Sequence, residues 1–245
     1  MAFCELKYFS PALGKAMGCN VIIPEKADHS GPYPVFYLLH GLSDDHTIWE
    51  RRTSIERYVQ DLSLIVVMPD GGRGFYIDAA EGPKYGEGII KDLVGLIDRT
   101  FHTKADRSGR CIGGLSMGGY GAVRLALGHP DMFCSANSHS GALAFGHRPA
   151  NDNIEFQRLH GAKPVGGPND LFALAKLLDK PHFPALRIDV GTEDFLLNDN
   201  REFHKHLTDL GLPHEYQEFP GSHEWGYWDK HVQEAIAFHR KNLGI

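Results

Sequence analysis

Arg110-Cys111-Ile112-Gly113-Gly114-Leu115-Ser116-Met117-Gly118-Gly119-Tyr120-Gly121 opens on a strand-like run, passes through a G-x-S-x-G pentapeptide and continues into the helix-like segment Tyr120 to Leu127. A serine at a tight strand-to-helix turn is held in a strained backbone, and glycines on either side remove the side chains that would clash there. Its hydroxyl then projects above the sheet, and the helix N-terminus beneath it favours developing negative charge. Ser116 is therefore read as a nucleophile. The competing reading is a glycine-rich turn whose serine caps the helix.

Outward from this turn, strands and helices alternate. Val35-Phe36-Tyr37-Leu38-Leu39, Leu64-Ile65-Val66-Val67-Met68 and Leu186-Arg187-Ile188-Asp189-Val190 are short runs bounded by Pro, Gly or Asp, and the first two are unbroken apolar. Such runs suit strands covered on both faces, as in a parallel sheet. Ile89, Ile90, Leu93, Val94, Ile97 and Phe101 form one helical stripe. Further helices are expected after Ser116, from about Asn198 to Leu210, and from near Trp225 to Leu243, while Cys4 to Ser10 and Asn20 to Pro24 read as strands pairing antiparallel at the sheet edge. The predicted fold is α/β: one domain over 1–245, with a mostly parallel, doubly wound sheet and helices on both faces. The stretch 142–181, rich in Gly, Pro, Asn and His with one helix at about Asp170 to Leu178, is too long for a plain connection. It is read as a cap-like insertion over the carboxyl edge of the sheet that helps to wall a substrate pocket, with an inert surface excursion as the alternative.

A serine hydroxyl is a poor nucleophile at neutral pH without a base and an acid to orient that base. This topology expects the order serine, acid, histidine. Gly191-Thr192-Glu193-Asp194 and Pro220-Gly221-Ser222-His223-Glu224 each follow a predicted strand. Asp194 is taken as the acid and His223 as the base, with Glu193 and Asp199 as alternatives for the acid. The oxyanion formed on attack requires two donors. The Met117 N–H is one, and the Leu42 N–H in Leu39-His40-Gly41-Leu42 is the other; His40 itself is read as structural. Trp49, Tyr76, Trp225 and Trp228 are candidates for an aromatic pocket wall.

These segments, with Met68-Pro69-Asp70-Gly71-Gly72-Arg73-Gly74-Phe75-Tyr76 and Gly221-Ser222-His223-Glu224-Trp225, resemble the esterase D-like branch of the α/β hydrolases, especially tributyrin-esterase-type carboxylesterases. The resemblance spans nearly the whole chain. It implies the α/β-hydrolase fold, cofactor-free hydrolysis of short acyl esters by Ser116, His223 and Asp194, donors at Leu42 and Met117, and the homo-oligomers common in that family. S-formylglutathione hydrolases, feruloyl and acetylxylan esterases and mycolyl transferases are resembled less closely. The first of these usually carry His where Leu115 stands.

Composition narrows the remaining classes. Of 245 residues, 42% are hydrophobic and 23% charged, a balance that buries roughly 70% of the unfolded surface without staples. Cys4, Cys19, Cys111 and Cys134 form no C-x-x-C pair and read as reduced thiols. A net charge of −6 without a basic block argues against nucleic acid. Among 15 histidines, His204 and His206 stand at i and i+2 of a predicted helix and so face apart, which disfavours a metal site. No apolar run approaches the roughly 20 residues of a membrane span, and a cytoplasmic enzyme acting on a small-molecule ester is the expectation. The non-enzymatic alternative is a hydrolase-fold binding protein that has lost catalysis; such proteins commonly lack a triad member.

Overall fold

The computed structural model describes residues 1–25 and 31–245. Eight strands form one sheet: β1 (Ala2–Ser10), β2 (Lys15–Ile23), β3 (Val35–Leu39), β4 (Ile65–Pro69), β5 (Arg110–Leu115), β6 (Ser135–His139), β7 (Ala185–Gly191) and β8 (Glu215–Phe219). Their spatial order is β1-β2-β4-β3-β5-β6-β7-β8. β1 with β2 and β2 with β4 are antiparallel, and every other neighbouring pair is parallel. This is the mostly parallel, doubly wound architecture of the α/β hydrolases.

The alternation of side chains along β3 and β4 explains their unbroken apolar runs. Val35, Tyr37, Leu39, Ile65 and Val67 face one core, which also receives Ile97, Val123, Leu171 and Phe203. Phe36, Leu38, Val66 and Met68 face a second core with Trp49, Ile55, Val232 and Ile236. The helices of the first core are α4 (Val94–Thr100), α5 (Met117–Gly128), α7 (Leu171–Leu177) and α8 (Leu197–Asp209); those of the second are α1 (Ile48–Arg52), α2 (Ile55–Val59) and α9 (Trp225–Leu243). The predicted stripe from Ile89 to Phe101 runs through a π-helical stretch, Gly88–Leu93, and α4, preceded by a short turn, α3 (Tyr85–Glu87).

β6 escapes the search for apolar runs because Ser135, Asn137, Ser138 and His139 are polar, yet all are fully buried. Hydrogen bonds offset that burial at Ser135, Asn137 and His139 in part. The ring of His239 on α9 bridges Ser135 Oγ at 2.8 Å and Asn137 Oδ1 at 2.9 Å, and His139 Nδ1 meets Asp189 at 2.8 Å. Burial pushes the His239 imidazole down to about 3 and that of buried His160 down to about 4. In the unfolded chain both rings protonate near about 6.5. Below that pH the unfolded state binds protons that the folded state refuses, so stability is lost as pH falls towards the folded values. Urea unfolding is expected to show a loss of roughly 1.4 kcal/mol per pH unit for each histidine between about pH 6 and about pH 4. A flat unfolding free energy over that window contradicts the buried, neutral assignment.

The segment 142–181 carries a 3-10 turn at Phe145–His147, the unforeseen helix α6 (Ile154–His160) and α7. It is tied to the body of the sheet: Tyr120 Oη donates to Asn169 O at 2.5 Å, Arg73 pairs with Glu155 at 2.8 Å, and Phe145 stacks on Phe75 at 4.1 Å.

Candidate active site

Ser116 lies between β5 and α5 with φ 52° and ψ −113°. A non-glycine residue in that region is strained and must be held there by its surroundings. The Ser116 N–H donates to His139 O at 2.9 Å, and Ser116 O accepts from Tyr120 N at 3.1 Å. The flanking glycines are demanded by close approach: a Cβ at Gly114 would lie 2.6 Å from Leu39 O, and one at Gly118 would lie 2.5 Å from the same atom.

The loops after β7 and β8 converge on this serine. His223 Nε2 is 3.1 Å from Ser116 Oγ, and His223 Nδ1 is 2.9 Å from Asp194 Oδ2 and 3.1 Å from Oδ1. Residues 107 and 29 positions apart in the chain thus form one hydrogen-bonded row. The Asp194 side chain is fully buried, and that burial, the largest influence on its carboxyl, raises the pKa; the hydrogen bonds from His223 and from Leu196 N–H at 2.8 Å outweigh it and hold the pKa below the usual carboxylate value. An ionised Asp194 accepts the Nδ1 proton, which leaves Nε2 with its lone pair towards the serine. Such a row can draw a proton from the hydroxyl as it attacks a carbonyl.

The two alternatives for the acid are placed elsewhere. Glu193 is exposed and accepts from Gly221 N at 2.6 Å and Thr192 Oγ1 at 2.7 Å, so it ties the histidine loop in place. Asp199 forms an ion pair with Arg148.

Leu39-His40-Gly41-Leu42 passes beside Ser116: a Cβ on Gly41 would lie 3.9 Å from that of Ser116. His40 is almost completely buried and braces this loop. Gly71 N–H donates to His40 Nε2 at 2.8 Å, so the ring proton resides on Nδ1, which lies 2.7 Å from Gly41 O. Asp44 N–H reaches the same carbonyl at 3.3 Å. In a trans peptide the N–H points opposite to the C=O. Holding Gly41 O on the His40 side therefore turns the Leu42 N–H the other way. Tyr76 Oη accepts from His40 N at 3.0 Å and donates to His40 O at 3.2 Å.

A cleft of about 620 Å³ opens over the serine, lined by residues that include Leu42, Asp44, Arg52, Phe195, Glu224 and Trp225, with Trp228 beside them. Of the four aromatic candidates, Trp225 and Trp228 lie on it. Trp49 and Tyr76 do not, which corrects the expectation for both: Trp49 is 1% exposed and donates its Nε1–H to Leu39 O at 3.1 Å, while Tyr76 is fully buried beneath His40. Trp49 acts one layer down, packing edge-on against Trp225 with ring centroids 5.2 Å apart. The insertion 142–181 contributes no residue to this lining, correcting its expected role as a pocket wall, because it packs against α5 and the loop carrying Arg73 and Phe75. Phe195 was missed by the sequence reading. It is 75% exposed and lies 4.5 Å from the His223 ring, yet nothing in its sequence neighbourhood marks it except adjacency to Asp194.

Residues 10–239 match the model of the Esterase family ("Putative esterase"). The chain belongs to the Esterase family. It is 27% identical over 264 residues to an acetyl esterase of Caldicellulosiruptor saccharolyticus, covering 98% of this chain and 99% of that protein. It is 33% identical over 251 residues to Esterase Rv1288 of Mycobacterium tuberculosis, covering 89% of this chain and 54% of that protein, so the chain spans about half of that relative. Among solved structures, the fluorophosphonate-binding serine hydrolase FphF of Staphylococcus aureus superposes with TM-score 0.87 at 31% identity, covering 97% of this chain and 98% of the other. The S-formylglutathione hydrolase FrmB of the same organism gives 0.84 at 31% identity with the same coverage. This member of the Esterase family is thus a serine hydrolase of carboxylic ester bonds. No helix among the described residues is long and apolar enough to cross a membrane.

Proposed function

We propose that the chain is a carboxylesterase that hydrolyses short-chain acyl esters through an acyl-enzyme, with Ser116 as nucleophile, His223 as general base and Asp194 as the acid that orients it. The observation that carries this reading is the row from Ser116 Oγ to His223 Nε2 at 3.1 Å and from His223 Nδ1 to Asp194 Oδ2 at 2.9 Å. His223 takes the serine proton during attack, and the tetrahedral oxyanion is received by the N–H groups of Met117, at the first turn of α5, and Leu42. His223 then returns the proton to the departing alcohol. A water activated by the same imidazole releases the acid. The intact row also speaks against the binding-protein alternative.

A cleft of about 620 Å³ that is open to solvent accommodates a short acyl group and a compact alcohol. The cleft carries the carboxyls of Asp44 and Glu224 against the single guanidinium of Arg52, which favours neutral over anionic alcohol portions. A glutathione thioesterase is the second reading, favoured by the similarity to FrmB; the peptide carboxylates of glutathione would meet this acidic rim. The deciding assay is a chain-length series of p-nitrophenyl esters run beside S-formylglutathione and methyl ferulate. Acetyl to butyryl esters are expected to give the highest kcat/KM, and a clear preference for S-formylglutathione would replace the carboxylesterase reading by the thioesterase.

The bracing of the oxyanion loop has its own signature. His40→Ala is expected to lower kcat by up to roughly 10² with little change in KM, since a donor aimed at the transition state is lost while ground-state binding is kept. His40→Asn, whose amide N–H stands where Nδ1–H stood, should recover part of that loss. Equal losses in both variants would mean that the contact with Gly41 O does not orient the donor.

A further inference from the structure

The His223 ring meets aromatic side chains from two different elements. Trp228, in the first turn of α9, packs edge-on against it with ring centroids 4.9 Å apart. Trp228 is buried in the second core and is backed edge-on by Trp225 at 5.2 Å, which in turn rests on Trp49. Phe195 lies 4.5 Å from the same imidazole, yet it is 75% exposed and belongs to neither core. One exposed apolar side chain is ordinary on a protein surface. An exposed ring laid against the imidazole is not accounted for by core packing.

The local chain explains how Phe195 reaches that place. Asp194 Oδ1 accepts from Leu196 N–H at 2.8 Å, and Asp194 O accepts from Leu197 N–H at 3.0 Å. Asp194 to Leu197 is thus a β-turn whose first side chain is drawn inward, while Phe195, at the second position, projects outward. Asn200 fixes the turn, its Nδ2 donating to Leu196 O and Gly141 O, both at 2.9 Å. The preceding residue ties the turn to the histidine loop, since Glu193 N–H donates to Gly221 O at 3.0 Å. Asp194, His223 and Phe195 are therefore held as one unit.

We propose that Phe195 is a positioning residue for the base: with Trp228 it holds the His223 ring in line between Asp194 and Ser116 and steadies the positive charge that the ring gains with the serine proton. The inference rests on the assignment of His223 as general base. Two hydrogen bonds at opposite corners of an imidazole leave it free to tilt about the line that joins them, and contact with neighbouring rings restricts that tilt. Aromatic rings also attract a nearby cation through their quadrupole. The charge on His223 exists only once the proton has moved, so this attraction favours the transition state over the resting enzyme and acts on kcat.

Phe195→Leu is expected to lower kcat for p-nitrophenyl acetate roughly fivefold to tenfold with KM within about twofold, and Phe195→Tyr to keep most of the parent rate. Because Phe195 stands outside both cores, the melting temperature should hold in each variant. Phe195 also lines the cleft, so the competing role is a wall for the alcohol. The acetyl-enzyme separates the two: its alcohol has left, yet His223 must still activate water. Loss of the acetyl group, followed by mass spectrometry after rapid mixing, should slow in Phe195→Leu by the same factor as kcat. Replacing Phe195 by mono-, di- and trifluorophenylalanine keeps the shape of the ring and drains its negative face, so kcat should fall with each added fluorine. The charges of Asp194, Glu224, Asp44 and Arg52 around the site are untouched by that series. His223→Ala checks the underlying assignment and should nearly abolish turnover. Turnover retained in His223→Ala would take down the general base and this proposal together. A silent His223→Ala beside a loss confined to KM, an unchanged deacetylation rate or a flat fluorine series would overturn the role of Phe195 alone.

Discussion

Ser116→Ala is expected to lower the turnover of p-nitrophenyl acetate by roughly 10⁶ while the melting temperature stays within a few degrees of the parent. The size follows from the cooperation of the row. Without the hydroxyl, His223 and Asp194 have no proton to move, and what remains is the contribution of the oxyanion donors to direct attack by water, which leaves some 10³–10⁴ over the uncatalysed rate. The fold should not suffer. Ser116 holds its neighbours through main-chain bonds, N–H to His139 O and C=O from Tyr120 N, and alanine keeps both. Alanine at φ 52° bears the same backbone strain as serine, so the substitution alters chemistry more than conformation. Labelling by a fluorophosphonate should vanish with turnover. A variant that retains most of its activity removes Ser116 from the mechanism.

Asp194→Asn is expected to cost about 10⁴ in kcat, and Glu193→Gln, one residue earlier, less than about tenfold. An amide nearly preserves the shape of Asp194, yet it can present its NH₂ to His223 Nδ1 and so stabilise the tautomer that has its proton on Nε2, the wrong nitrogen for accepting one from Ser116. It also withdraws the negative charge that supports the imidazolium formed during attack. The structure explains why a carboxylate survives there. The Asp194 side chain is fully buried, which opposes ionisation, and hydrogen bonds from His223 and Leu196 N–H reverse that penalty. Glu193 differs in kind: its carboxylate is in solvent and grips Gly221 N–H, so its loss loosens a loop without changing the protonation of the base. Comparable losses in the two variants would show that the acid had been misassigned.

The contrast between β3 and β6 shows where sequence reading reaches its limit. Val35 to Leu39 announces itself because both of its faces meet apolar cores, and side-chain type alone carries that information. Ser135 to His139 is buried just as deeply, but Ser135 and Asn137 find their partner in His239, more than a hundred residues away. No local pattern reveals such a partner. The aromatic candidates divide for the same reason. Trp49 and Trp225 are equally plausible as a pocket wall in the sequence, and packing places Trp49 one layer beneath Trp225. Phe195, exposed over His223, has no helical or strand periodicity to betray it.

By itself the sequence determined the order of elements, the strained turn at Ser116 and the loops that bear Asp194 and His223, because glycine placement, apolar periodicity and chain order act locally or through topology. Only the tertiary structure decided which carboxylate faces the imidazole, which tryptophans meet the cleft, how His40 turns the Leu42 N–H and that the insertion at 142–181 leaves the cleft open. Those outcomes depend on distances between segments far apart in the chain, and such distances are set by packing of the whole.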